Sequence, residues 1–205
     1  MKNRQTILLA KLFTLLFEPH YFPLLCMLVL MGFSYMKVFP LSYKVFVLVL
    51  VYAFTIALPV LLIALYRNLN GLHRHQLTHR ELRTVPYVIS TLCYVFCYQL
   101  MRYLGVPRFI VSVVLASVVL QMLCLLINMR YKISIHSAAA GAMNGALIAF
   151  SIIFHFDPTW WLCFTLIIAG CVGSSRLILR RHSLMEVNLG LIVGLLTGFV
   201  TILIF

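Results

Sequence analysis

The chain has 205 residues, of which 63% are hydrophobic and only 10% charged. That excludes a soluble globular domain, which could not bury so much apolar surface at this size, and requires an integral membrane protein. The net charge is +12, from 16 Lys and Arg against 4 Asp and Glu; the basic residues lie in short loops between apolar runs, which argues for an anionic partner at the membrane surface and against nucleic acid.

The first 19 residues mix Lys2, Arg4 and Lys11 with leucines and offer no small-residue cleavage site. They predict an amphipathic interfacial helix and no cleavable signal peptide. Apolar runs of bilayer length then follow at about 20–38, 44–66, 86–104, 108–128, 137–155, 158–177 and 184–205. The expected fold is an all-α, polytopic helical bundle forming one integral-membrane domain over 1–205. Cys26, Cys93, Cys97, Cys124, Cys163 and Cys171 all lie in apolar stretches and read as small buried side chains. Gly141 and Gly145 in one run, and Gly190, Gly194 and Gly198 in the last, predict close helix–helix approach.

The loops divide by parity. The N-terminus and the loops after the second, fourth and sixth runs hold 12 of the 16 Lys and Arg; Lys37, Lys44, Arg102 and Arg108 are on the other side. Nearly all the histidine joins the larger set. Three loops therefore deliver polar groups to one face, and the charge bias places that face in the cytoplasm.

The last of these loops reads "SSRLILRRHSLMEV". On a helix His182 and Glu186 share a face, four residues apart. A carboxylate there takes the proton of one imidazole nitrogen and leaves the other lone pair free to attack. Arg176, Arg180 and Arg181 favour the neutral ring and attract phosphate. In the middle loop, Lys132, Ser134 and His136 stand just before Ser137-Ala138-Ala139-Ala140-Gly141, whose amides open a helix able to face an anion. The first loop supplies Arg80 and Arg83 at helical spacing before Pro86; arginine forks match phosphate oxygens in pairs.

These stretches resemble the signatures of the type-2 phosphatidic acid phosphatase superfamily, in the same chain order. "SRLILRRHSLME" is similar to its third signature (Ser-Arg, five residues, His, three residues, Asp), "SIHS" to its second (Ser-Gly-His), and "RELRTVP" loosely to its first. Glu186 stands where the family has Asp, Ile135 where it has Gly, and two residues separate Arg83 from Pro86. The resemblance implies a six-span phosphatase core from about residue 44 onward, with an additional N-terminal span or interfacial helix. It implies His182 as the nucleophile of a phosphohistidine, Glu186 as its orienting partner and His136 as the proton donor. Arg176, Ser134, Ser175, Lys132 and an arginine of the first loop, Arg80 or Arg83, would hold the phosphoryl oxygens. No metal or other cofactor is implied, since fixed cations and amides serve instead. The implied substrate is an anionic phospholipid or isoprenoid phosphate, and the expected location is the bacterial inner membrane.

Two rival readings differ in class. A relative that binds or moves anionic lipids without catalysis would use the same basic site. A metal or solute transporter would use His73, His75 and His79, but the spans lack acidic residues to accompany a cation. His20 and His155 read as isolated interfacial histidines, and Asp157, Trp160 and Trp161 as a span boundary with aromatic anchors.

Overall fold

The computed structural model describes residues 2–32, 39–69 and 80–205, with side chains from Arg4 onward and, in the last stretch, from Val85 onward. Regular structure among them is entirely helical. α1 covers Lys2–Leu16 and α2 Phe22–Gly32, joined through a single 3₁₀ turn at Pro19–Tyr21. α3 (Leu41–Tyr52) continues through a π-helical turn at Ala53–Ala57 into α4 (Leu58–Leu69). Then come α5 (Arg80–Tyr103), α6 (Arg108–Arg130), α7 (Ile135–Phe154), α8 (Thr159–Ile178) and α9 (Leu184–Ile204).

Among the described residues, six segments are long and apolar enough to span a bilayer: Arg4–Gly32, Leu41–Leu69, α6, α7, α8 and α9. The expected interfacial helix is α1, which packs along α8 and forms one such segment with α2. Pro19, which has no N–H to give, marks the break between the two. α5 runs beside them, made more polar by Arg80, Glu81, Arg83 and Arg102. Tyr87 near its start lines the cavity described below, and Tyr98 near its end meets the ring of Phe205 at 6.1 Å. The helix starts before Pro86, which lies inside it. Gly105, at φ 69°, takes the left-handed turn that folds α6 back against α5.

The main core lies in the half of the bundle away from the charged loops. Met27, Val51, Met101, Ile110, Val114 and Phe150 from α2, α3, α5, α6 and α7 are buried there. α7 and α9 pack most closely and run in parallel. Gly194 faces the Ala138 carbonyl, Gly198 the Ala142 carbonyl and Gly145 the Leu195 carbonyl, so backbone meets backbone over three turns. α8 returns the chain between them and is tied to α7 by a buried pair, with the Thr165 hydroxyl donating to Asn144 Oδ1 at 2.8 Å. The consequence for function is direct: two parallel helices in register bring both their N-termini, and the loops before them, to one end of the bundle.

Candidate functional site

The site starts where α8 stops. Arg180 sits at φ 50°, in the left-handed region, and the Arg181 amide donates back to the Arg176 carbonyl at 3.1 Å. This is a helix-ending turn of the kind glycine usually makes, occupied here by arginine. It reverses the chain within residues 179–183, and α9 begins at Leu184. Ser183 caps it, its hydroxyl accepting from the Glu186 amide at 3.3 Å. In a Ser-x-x-Glu box the glutamate ordinarily reaches back to the capping residue's own amide. Here its carboxylate takes the ring of His182 instead, with Nδ1 and Oε2 2.7 Å apart.

That contact fixes the tautomer: Nδ1–H donates to the carboxylate and Nε2 keeps its lone pair. Burial pushes the His182 pKa below its usual value of 6.5, and the charges of Arg176 and Lys132 push the same way. The hydrogen bond and charge of Glu186 oppose them. The net result is a neutral imidazole at physiological pH, held by one nitrogen.

The loop before α7 is bonded to this turn. The Ser134 amide donates to the Glu186 carbonyl at 3.2 Å. Lys132 Nζ donates to the Arg181 carbonyl at 2.7 Å and lies 3.6 Å from Glu186 Oε2. Ser134 itself is fully buried as the cap of α7: its hydroxyl accepts from the Ser137 amide and contacts the Ser137 hydroxyl at 2.8 Å. Ile135, where the resembling signature has glycine, opens α7 without a positive φ, so no glycine is needed there for conformation.

Lys132, His136, Arg176, Arg180, Arg181 and His182 line one cavity of about 1100 Å³. Arg176, in the last turn of α8, carries a buried Nε with no hydrogen-bond partner among the described residues. A buried guanidinium nitrogen left unpaired is costly, and an anion with fork-matching oxygens would satisfy it. Replacing Arg176 with Met is therefore expected to stabilise the ligand-free protein by about 1 kcal/mol. The same change should abolish stabilisation by vanadate, a phosphate-like anion. A thermal-shift titration with vanadate reads both effects.

Not every residue singled out in the sequence reaches the cavity. Ser175 is buried and its hydroxyl donates to the Cys171 carbonyl at 2.7 Å, within its own helix. Arg80 and Arg83 belong to the first turns of α5, and their side chains are outside the described residues, as are His73, His75 and His79 altogether.

His20 is corrected from an isolated interfacial histidine to a cavity residue. The break between α1 and α2 turns it inward, and its Nδ1 lies 3.3 Å from the hydroxyl of Tyr94, a fully buried side chain of α5. Lys11 and Glu18 of the same N-terminal segment also line the cavity. Two prolines, Pro19 and Pro23, flanking His20 are the only sequence signal of that break.

Comparison with curated proteins and with solved structures gives no match. The family model of the PAP2 superfamily matches residues 126–205. That stretch holds the end of α6, the parallel α7–α9 pair and α8, and with them His136, Arg176, His182 and Glu186. The superfamily is phosphatase-like in general. Residues 126–205 are thus a PAP2 superfamily domain, carried by an integral membrane protein whose preceding helices complete the walls of its cavity.

Proposed function

We propose that this protein is a metal-independent lipid phosphate phosphatase acting through a phosphohistidine. His182 Nε2 attacks phosphorus, and the P–O bond to the lipid breaks as the N–P bond forms. His136 gives a proton to the departing lipid oxygen; water then attacks phosphorus, giving a proton back to His136 as the N–P bond breaks and phosphate is released. Arg176 and Lys132, with the first amides of α7, hold the phosphoryl oxygens. The remaining residues of the constellation, Ser134 and Ser175, act by shaping the two helix ends, and an arginine of the first loop, Arg80 or Arg83, is the further phosphate-holding residue that the signature resemblance implies. The observation that carries this reading is the His182–Glu186 contact beside the unpaired Nε of Arg176: an oriented neutral nucleophile next to a guanidinium in want of an anion.

The apolar lower part of the cavity supports a lipid substrate, and the loop charge bias supports a site facing the cytoplasm. The test is phosphate release by detergent-purified protein from a panel of lipid phosphates, with a chelator present. Release from at least one lipid is expected. A folded protein that binds these lipids and releases none would favour a binding or lipid-moving relative.

Glu186→Gln probes the orienting role. It keeps the shape of the side chain and removes the charge, so turnover should fall about 100-fold. The carboxylate is what raises the His182 pKa, so its loss moves the acid limb of the pH–rate profile to lower pH. The wild-type acid limb should already lie below 6.5. A profile with the variant's limb shifted upward would remove Glu186 from this role.

A further inference from the structure

The cavity is not uniform along its depth. At the mouth lie the cations and His182. Farther in, Val113 and Ala116 of α6 and Ala146 of α7 make an apolar wall. Between the two is a layer of polar side chains, with Glu18 beside it. Tyr94 lies seven residues beyond Tyr87 along α5, and Gln121 seven residues before Asn128 along α6. At helical rise each is roughly 10 Å below the mouth. The Tyr94 hydroxyl meets His20 Nδ1 at 3.3 Å and lies near Gln121, whose Oε1 accepts from the Thr91 hydroxyl at 3.0 Å.

Polar side chains at this depth are costly in a membrane protein and tend to line substrate paths. If the layer only tied the N-terminal segment to α5, a single hydrogen bond would suffice. Instead His20 keeps Nε2 free of any hydrogen bond among the described residues, and both His20 and Gln121 line the cavity. The three layers, cationic, polar and apolar, follow the order of a lipid in which oxygens separate phosphate from hydrocarbon. In a prenyl phosphate the hydrocarbon begins directly after the phosphate, leaving the middle layer without a partner.

We propose that His20, Tyr94 and Gln121 form a second subsite, outside the PAP2-matched residues, that holds the ester or hydroxyl oxygens of a glycerol-type linker. The subsite selects glycerol-linked phosphates over prenyl phosphates. This rests on the lipid phosphatase reading above, and its test separates the two.

The experiment compares kcat/KM for a diacylglycerol phosphate and for farnesyl phosphate in mixed micelles, using wild type, Tyr94→Phe and Gln121→Leu. Wild type should favour the glycerolipid by about 10-fold or more, and each variant should lose most of that preference. Turnover of farnesyl phosphate should stay within about twofold, because its linker makes no hydrogen bond there. Equal loss on both lipids would make the layer a structural clamp and overturn the proposal, as would an unchanged ratio. The same two lipids are also titrated against His182→Ala protein, reading thermal stabilisation. If wild type hydrolyses neither lipid, the phosphatase reading fails, and this binding preference alone decides the subsite. Stronger stabilisation by the glycerolipid, lost in Tyr94→Phe/His182→Ala, would support it; equal stabilisation would overturn it.

Discussion

His182→Ala is expected to lower phosphate release by about 10⁴-fold or more, while the protein remains folded and extractable. The size follows from the chemistry. Without a nucleophile on the enzyme, water must attack the phosphate directly, in a pocket whose cations and amides still bind the substrate but whose reactive atom is gone. The expectation of a folded variant follows from location. His182 sits in the short turn between α8 and α9, and among the described residues its ring makes one hydrogen bond, to Glu186. Losing that bond leaves Glu186 beside Lys132, which already lies 3.6 Å from it. Binding of vanadate should therefore persist at reduced strength. Phosphate release and a melting curve on the same preparation check both halves. A folded variant with turnover near wild type would remove His182 as nucleophile.

Gly194→Ala is expected to produce the largest loss of stability among single-atom changes, about 3 kcal/mol or more. The added Cβ falls on the Ala138 carbonyl and close to the Ala142 amide, both backbone, so no side chain can swing away. The helices must separate or slide. Either motion moves the α9 N-terminus relative to that of α7, breaking the Ser134–Glu186 bond that keeps the two site loops together. Activity should fall along with stability. Gly170→Ala is the control: nothing lies within 4 Å of a Cβ there, and the change should be neutral or slightly stabilising. Melting temperatures of the two variants in one detergent settle the comparison. Similar values would mean the α7–α9 approach is not what fixes the site.

Much of this was legible in the chain because a bilayer imposes simple rules. Runs of apolar residues give the spans, and any charge between them stands out. Parity then brings Lys132, His136, Arg176 and His182 to one face before any coordinate is known, and the glycine spacing at 190, 194 and 198 announces a close helix pair. Two things were hidden. The polar function of a side chain cannot be read from its type: Ser134 and Ser175 have the right hydroxyls, but one caps a helix and the other bonds back to Cys171. Nor does hydropathy show how a broken helix turns. His20 is followed by apolar residues and looks like a span boundary, yet the Pro19 break aims it into the cavity, against Tyr94 of a helix some seventy residues away.

The central claim is that phosphate passes through His182, and the most direct test is to trap it there. Protein is mixed with a lipid phosphate labelled at phosphorus, quenched in alkaline denaturant and digested. The mechanism predicts a label stable to base and labile to acid, confined to the peptide containing His182 and missing from His182→Ala. Phosphate release by wild type with no labelled histidine, or equal labelling of the variant, would contradict it.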